Sequence, residues 1–394
     1  MAATHTTPQS TGLASRLILL LATGLALSGG LELWSLLRFE PLGMDFLPLW
    51  AAGELAWSDA HKIYDFAAVT AAQTWALPPH FAWLRPYPYP PTTLLLLAPL
   101  GRLPFWAADA IWSILSIGVF LLGCWRLAGR HRAAAALMAA SLPAVVIAAS
   151  AGQPVVLVSG LIVLATLELD RRPRLAGALF ALAAIAKPQA AIMAPVALMA
   201  AGAVEALVTA GLVGAAAVAA SAILFGAERW SEWLASLPAF QRVVESVPRL
   251  GSAIVTPLWA ARELGLGGLA AAAVAAVFAL AGAVLVWRLF RRPADAAHRV
   301  GALAVGSLVA APYAMCYDAT LLAPAAVALA LAAITRGRAV IALLGLAAAF
   351  EVTAPNLGLP AILAFAAIVI VDCRWARAPD AGASRPMASS GAVS

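Results

Sequence analysis

Residues 268–290 read GLAAAAVAAVFALAGAVLVWRLF, a run in which Arg288 is the only charged residue. About 20 consecutive apolar residues are enough for an α-helix to cross a bilayer, so this run predicts a membrane-spanning helix. The whole chain has the same character, because 63% of its 394 residues are hydrophobic and 11% are charged. Soluble domains average about 25% charged residues. The sequence therefore predicts an all-α polytopic membrane protein.

Charges and Pro/Gly breaks divide the chain into about twelve apolar segments, several of them shorter than the ~20 residues of an upright span. We expect a transmembrane domain over residues 17–376, a cytoplasmic N-terminal tail at 1–16 and a disordered cytoplasmic tail at 377–394. The first segment is too long for a signal peptide, and we interpret it as an uncleaved helix. The segments are 17–37, 105–127, 133–149, 154–169, 174–187, 189–203, 205–226, 268–290, 299–314, 318–334, 339–354 and 357–372.

The basic residues indicate the orientation of the helices. The chain carries 25 Lys and Arg against 19 acidic residues, and the short connections hold most of the arginines. Because short cytoplasmic loops are enriched in Lys and Arg, the two long loops at about 38–104 and 227–267 are predicted to face outward. These loops are rich in Trp, which favours the membrane interface, so we expect them to carry interfacial helices, one of them near 46–57.

The same charges argue against a nucleic-acid partner. No basic stripe with interleaved aromatic residues is present, and anionic membrane lipids account for the clustered arginines.

The three cysteines, Cys124, Cys316 and Cys373, form neither a disulfide framework nor a metal-binding spacing. The sequence also contains no Asp-x-Asp metal site, nucleotide-binding loop or GxSxG elbow, and nothing in it requires a metal or another cofactor.

Several polar residues interrupt the apolar pattern at the predicted outer ends of the helices. Asp45 follows the first helix. A carboxylate beside apolar neighbours at a membrane surface costs folding free energy and is typical of a functional site. It is a candidate general base, or else a solvated loop residue or helix N-cap. The Tyr-Pro-rich segment at 87–91 must be extended, and its tyrosines either contact a sugar ring or anchor the chain at the interface.

Lys187 is a single cation between two apolar segments and requires an anion. That anion is either the phosphate of a ligand or a carboxylate of the chain, Asp318 or Glu351. Breaks at Gly152–Pro154 and 312–318 also fall at outer ends, so polar residues converge on one face. Asp109, inside the second segment, does not fit this pattern.

Six ordered stretches resemble glycosyltransferase family 87, the polyprenol-phosphate-mannose-dependent α-mannosyltransferases of the GT-C superfamily. The similarity extends from about residue 40 to 325, and the ordered set is more specific than any single motif. The stretches are MDFLPLWAAGELAWSDAHKIYDF (44–66), YPYPPTTLLLLAPL (87–100), AGQPVVL (151–157), LAGALFALAAIAKPQAA (175–191), RLGSAIVTPLWAARELGLG (249–267) and APYAMCYDATLLAP (311–324).

The resemblance implies a GT-C-like bundle that transfers a hexose, with inversion, from a polyprenyl-phosphate-linked donor to an extracytoplasmic lipid or glycan acceptor. It implies that Asp45 is the catalytic base and that Lys187 contacts the donor phosphate. Because the leaving phosphate gains negative charge, Arg85 and Arg249 are further candidate cations. Many members carry a His in the segment matching 313–318, where this chain has none. The substrate-binding candidates are Tyr64, Asp65, Tyr89, Gln153, Tyr317 and Asp318.

Two other classes of protein compete with this interpretation. A lipid or solute transporter would place ionisable residues near mid-membrane and be built from repeats, and no internal repeat is evident. A membrane scaffold would not need polar breaks that converge on one face. We expect an integral protein of a bacterial inner membrane with its site on the non-cytoplasmic side.

Overall fold

The computed structural model describes residues 8–39, 41–76, 85–247 and 251–375. These residues form helices and turns, with one isolated antiparallel bridge between Ile254 and Met315. The all-α prediction is therefore confirmed. The α-helices are α1 (Pro8–Leu37), α2 (Leu47–Ser58), α3 (Phe66–Gln73), α4 (Leu94–Gly101), α5 (Phe105–Leu127), α6 (Arg132–Ala140), α7 (Pro143–Ala151), α8 (Val155–Glu168), α9 (Pro173–Ala186), α10 (Ala194–Ala200), α11 (Val204–Phe225), α12 (Glu228–Glu245), α13 (Pro257–Glu263), α14 (Gly268–Arg291), α15 (Ala296–Ala310), α16 (Ala323–Thr335), α17 (Ala339–Glu351) and α18 (Gly358–Trp375).

Four described helices are long and apolar enough to cross a membrane. They are Gly12–Leu37 within α1, α5, α11 and α14, and between 11% and 39% of each apolar window is buried inside the protein. Their remaining apolar side chains face outward, where lipid is the compatible solvent. The bent pair Gly129–Ala140 and Pro143–Ala151 adds a fifth crossing if it acts as one span. The expected number of about twelve spans stays a prediction, because the other apolar helices are shorter.

Two predicted segments are interrupted. The segment at 133–149 bends by 68° between α6 and α7, where Pro143 begins α7. The segment at 189–203 contains a 3₁₀ turn at Pro188–Ala191 before α10. A proline cannot donate the backbone hydrogen bond that would continue a preceding helix, so both breaks follow from Pro143 and Pro188.

The centre of the bundle consists of α8, α15 and α16. Nearly every residue of these three helices is buried, which explains why they are apolar on all sides. Small residues allow their neighbours to approach closely, since a Cβ added at Gly160 of α8 would lie 2.6 Å from the backbone of Val119 in α5. Close contact through small residues is the usual way in which membrane helices associate.

The predicted interfacial helix near 46–57 forms as α2, but most of its residues are buried. Gly53 lies against α4, where an added Cβ would be 2.4 Å from the carbonyl oxygen of Leu97. Trp50 donates its Nε1 hydrogen to the Leu103 carbonyl at 2.9 Å. This helix therefore packs within the protein instead of along its surface. In the second long loop, α12 has one buried face, with Arg229, Ser236 and Val244, and one exposed face.

The fold separates two polar ends. The turns at 42–46, 85–91, 152–154 and 311–318 meet at one end, together with Lys187. At the opposite end Arg126 binds Glu168 at 2.6 Å and Arg299 binds Asp170 at 3.3 Å. The arginine-rich end is the one that the positive-inside rule predicts to be cytoplasmic.

The contact between α9 and α11 gives a test of this packing. A Cβ at Gly177 would lie 2.2 Å from the Ala206 carbonyl oxygen, whereas Gly211 of α11 has no atom within 4 Å of such a Cβ. We expect Gly177→Ala to lower the free energy of unfolding by about 1–3 kcal/mol through overpacking. Thermal unfolding in detergent measures the effect. Gly211→Ala is the matched control and should leave the midpoint unchanged or raise it slightly, because Ala is the better helix former. Equal midpoints for the two variants would contradict the close contact.

Candidate active site

Asp45 lies in the turn between α1 and α2, and that turn is bonded to the C-terminus of α7. The backbone N–H groups of Asp45 and Phe46 donate to the Ala151 carbonyl at 2.9 and 3.0 Å, and that of Gly43 donates to the Ser150 carbonyl at 2.8 Å. The N-cap of α2 is Phe46, and no side chain caps this helix. Asp45 is therefore not a helix cap, which removes one of its structural interpretations.

Two side chains orient the Asp45 carboxylate. Gln153 donates from Nε2 to Oδ2 at 2.8 Å. The Nε atom of Arg85 lies 3.9 Å from Oδ1, and the Asp45 side chain is 32% exposed. The carboxylate is thus held from one side by an amide, lies beside a guanidinium, and remains open to a molecule approaching from outside.

Tyr89 orients the amide that binds Asp45. Its hydroxyl donates to Oε1 of Gln153 at 3.5 Å, which leaves the Nε2 hydrogens for Asp45. The hydroxyl of Tyr64 donates to the Tyr89 carbonyl at 2.9 Å. Burial raises the pKa of Tyr89 well above its usual value, and the charges of Asp318 and Asp45 raise it further. Tyr89 therefore stays a neutral hydrogen-bond donor at physiological pH.

Lys187 and Asp318 form a buried ion pair. Their side chains are 3% and 4% exposed, and Nζ of Lys187 contacts Oδ1 of Asp318. The other carboxylate oxygen accepts from the Met315 N–H at 2.9 Å, and Nζ lies 5.2 Å from the centre of the Tyr317 ring. Of the two carboxylates considered from the sequence, the structure pairs Lys187 with Asp318, while Glu351 is exposed.

The ion pair and Asp45 belong to one electrostatic environment. Burial raises the pKa of Tyr317, and the negative charges of both Asp45 and Asp318 raise it further. The pKa of Tyr313 is raised by burial and then by Asp318 and Asp45. The Tyr313 ring packs edge-on against Phe240 of α12, with centroids 5.4 Å apart. The second outer loop thus contacts the residues that surround both carboxylates.

Among the described residues, the structure does not bring the remaining candidates from the sequence into contact with the Asp45 carboxylate. Asp65 is exposed and caps α3, accepting from the N–H groups of Ala67 at 2.9 Å and Ala68 at 3.2 Å. Tyr64 supports the backbone of Tyr89 rather than lining the open side of Asp45. Arg249 lies outside the described residues. Within the described parts of the chain, no cluster of three or more His, Cys, Asp or Glu could hold a metal ion.

Asp109, which did not fit the sequence pattern, lies beneath the Asp45 turn. A Cβ at Gly43 would be 2.5 Å from Oδ1 of Asp109, and one at Gly152 would be 3.3 Å from the same atom. Both glycines have left-handed backbones, with φ of 77° and 74°. Trp112, one helical turn further along α5, donates to the Gly152 carbonyl at 2.9 Å. The outer turn of α5 therefore supports the turns that carry Asp45 and Gln153.

The buried pair predicts an asymmetric response to mutation. Lys187→Met leaves Asp318 as an uncompensated buried charge, so we expect it to cost about 3–5 kcal/mol of unfolding free energy. The double variant Lys187→Met/Asp318→Asn removes both charges and should be more stable than Lys187→Met alone. Lys62→Met is the matched control, because Lys62 forms an exposed pair with Asp59 at 2.9 Å, and solvent screens such a pair strongly. Thermal unfolding midpoints in detergent that are equal for the single and double variants would show that the pair is not coupled.

Comparison with known proteins places this arrangement in a family. Neither a curated protein nor a solved structure matches the chain. The model of glycosyltransferase family 87 matches residues 87–313, which include Tyr89, Gln153 and Lys187. Asp45, Arg85 and Asp318 lie outside the matched range, and the structure connects them to residues inside it. The match covers more than half of the sequence, and the chain therefore belongs to glycosyltransferase family 87.

Proposed function

We propose that this membrane glycosyltransferase moves a sugar, mannose in the first instance, from a polyprenyl-phosphate donor to an extracytoplasmic lipid or glycan acceptor. Asp45 is the general base. The observation that carries this proposal is its carboxylate, which is 32% exposed, receives a hydrogen bond from Gln153 at 2.8 Å and lies beside Arg85. A base must be positioned and still accessible to the proton that it removes.

The proposed reaction is a single displacement. Asp45 accepts the proton of the acceptor hydroxyl while that oxygen forms a bond to the anomeric carbon of the sugar. The bond from the anomeric carbon to the phosphate oxygen breaks, and its electron pair leaves with the lipid phosphate. One displacement at one carbon inverts the configuration there. A lipid-linked donor suits a site that faces away from the cytoplasm, because a charged nucleotide sugar does not cross the bilayer unaided.

The leaving phosphate gains negative charge and needs a cation. Arg85 is the nearest candidate to the base, since its Nε lies 3.9 Å from Oδ1 of Asp45. Lys187 is already paired with Asp318, so a phosphate there would have to share the ammonium group with that carboxylate. We therefore propose Arg85 as the first phosphate contact and Lys187 as a second, with Arg249 a further candidate. Tyr317 and Asp318 then act on the sugar or phosphate through Lys187.

The proposed membrane arrangement rests on the number of apolar helices and on the end of the bundle at which the arginines lie. We propose that the shorter apolar helices complete a GT-C-like bundle of about twelve crossings, in which buried helices need not match the full bilayer thickness. The arginine-rich end lies in the cytoplasm, and the Asp45 end faces outward. In a bacterium this places the active site on the outer face of the inner membrane.

Replacement of the base is the direct test. Asp45→Asn keeps the size of the side chain but removes the proton acceptor, so sugar transfer should fall by about 10²–10⁴-fold. The assay uses purified protein in lipid with polyprenyl-phosphate-mannose and an acceptor extract from the cell envelope. Product is followed by mass spectrometry, and other lipid-linked sugars are tried when mannose is not transferred.

Asp59→Asn is the matched control for this experiment. It makes the same chemical change in the same outer loop, at an exposed carboxylate that pairs with Lys62 and is not a candidate for substrate binding. We expect the control to retain transfer. Equal transfer by Asp45→Asn and wild type would exclude Asp45 as the base, whereas equal losses in both variants would indicate a folding defect of the loop.

Gln153 should act through Asp45. Gln153→Leu removes the donor to Oδ2, and we expect kcat to fall by about 10–10²-fold with a smaller change in KM, since a base that is not oriented transfers protons poorly. Tyr89→Phe removes only the hydroxyl that orients the amide and should have a smaller effect in the same direction. A rise in KM without a change in kcat would instead identify Gln153 as a substrate contact.

A further inference from the structure

The arginine-rich end of the bundle contains a cavity of about 550 Å³, on the side opposite to Asp45. It lies between the α8–α9 turn, the α14–α15 turn and the ends of α16 and α18. Ligand sites in proteins usually enclose about 300–1,000 Å³, so this volume is large enough for a phosphate-bearing headgroup. The residues that give it its chemistry are Asp170, Asp295, His298, Arg299 and Arg336.

Two arginine side chains in the wall of this cavity are accessible to different degrees. The Arg336 side chain is 46% exposed, and that of Arg299 is 14% exposed. The His298 side chain is 2% exposed, with Nε2 3.1 Å from Oδ2 of Asp372 and Nδ1 4.0 Å from Oδ2 of Asp295. The side chains of Arg299 and Arg336 are therefore the groups that an anion in the cavity can reach, and His298 closes the inner wall.

The carboxylates near the arginines do not compete strongly for them. Asp170 is 78% exposed and lies 3.3 Å from Arg299, and Asp295 is 66% exposed and lies 4.0 Å from Arg336. Exposed ion pairs of this kind contribute only about 0–1 kcal/mol. Asp372 is buried, but Arg338 lies 2.7 Å from it and neutralises it. An anion with several oxygens can therefore replace the exposed carboxylates at little cost.

We propose that this cavity binds the phosphate headgroup of an anionic phospholipid from the cytoplasmic leaflet. Arg299 and Arg336 contact the phosphate oxygens, and His298 lines the inner wall. A lipid is the favoured source because the cavity opens at the ends of membrane helices, at the level where headgroups lie, and arginine pockets between such helices bind anionic lipids. This site is separate from the proposed transfer reaction, and only the choice of the cytoplasmic leaflet rests on the proposed orientation.

The test titrates full-length protein in mild detergent with phosphatidylglycerol, phosphatidylcholine or inorganic phosphate. Binding is read by native mass spectrometry and by the thermal unfolding midpoint. We expect phosphatidylglycerol to be retained and to raise the midpoint, and we expect Arg299→Gln/Arg336→Gln to weaken its binding by about tenfold or more. The matched control, Arg130→Gln/Arg174→Gln, removes the same charge from exposed sites on the same face and should bind like wild type.

Three results would overturn the proposal. Equal retention of phosphatidylglycerol by wild type and Arg299→Gln/Arg336→Gln would exclude the cavity as the site. Equal losses in the cavity variant and the control would indicate attraction to the whole basic face. A larger response to inorganic phosphate than to phosphatidylglycerol would exclude a lipid as the ligand. Arg336→Gln alone, at a half-exposed residue, provides the same comparison if the double variant does not fold.

Discussion

The candidate active site depends on the hydrogen bonds between the Asp45 turn and the C-terminus of α7. The last carbonyl groups of any helix lack partners within that helix, and in a membrane protein they must find others. The Ser150 and Ala151 carbonyls find them in the N–H groups of Gly43, Asp45 and Phe46. The same contact therefore provides hydrogen-bond partners for the last carbonyl groups of α7. It also fixes Asp45 beside Gln153, which lies just after the end of α7. Stability and positioning are achieved by one interaction.

This contact is possible because two glycines adopt left-handed conformations. Gly43 turns the chain toward α7, and Gly152 ends that helix with φ of 74°. A side chain at either position would meet Asp109, and one at Gly152 would also lie 2.7 Å from Cβ of Phe46. Phe46 in turn stacks on Trp112 with ring centroids 5.5 Å apart. The outer turn of α5 thus supports the two turns that hold the Asp45 carboxylate next to the Gln153 amide.

Much of this site could be predicted from the sequence, but not its pairings. Hydropathy and proline breaks indicated that Asp45, Gln153, Lys187 and Asp318 would lie at one end, because each interrupts an apolar run. The partner of Lys187 stayed open between a phosphate, Asp318 and Glu351, since spacing along the chain does not determine which helices are neighbours. Asp109 was unexplained for the same reason: its environment is made by two turns that lie far away in sequence.

The burial of α2 could not be predicted from the sequence either. A Trp-rich apolar helix in an outer loop is compatible with the membrane interface and with the protein interior, because both are apolar environments for most of its length. The decisive feature is Gly53, which lets the backbone of α2 approach Leu97 in α4. Its significance depends on a contact between residues more than 40 positions apart.

Convergence of polar groups at one end does not by itself identify a catalytic site. In lipid, the backbone N–H and C=O groups that a helix break leaves unpaired must form hydrogen bonds with other groups of the protein, often at a second helix break. Thr93 donates to the Ile185 carbonyl at 2.9 Å, and Thr320 donates to the Ala144 carbonyl at 3.0 Å. Such clustering would occur in a scaffold as well, so the expectation from the sequence that a scaffold needs no converging polar breaks is too strict.

Asp45 differs from these groups because Gln153 orients its carboxylate while part of the side chain stays exposed. Lys187 and Asp318 neutralise each other in a buried pair, and the threonines bond to backbone carbonyls. The Asp45 carboxylate receives one hydrogen bond, lies 3.9 Å from a guanidinium and keeps a third of its side chain exposed. A charged group held in this way at a membrane surface is costly for folding alone. The proposed role, in which the open side of the carboxylate accepts a proton from a substrate, accounts for this arrangement.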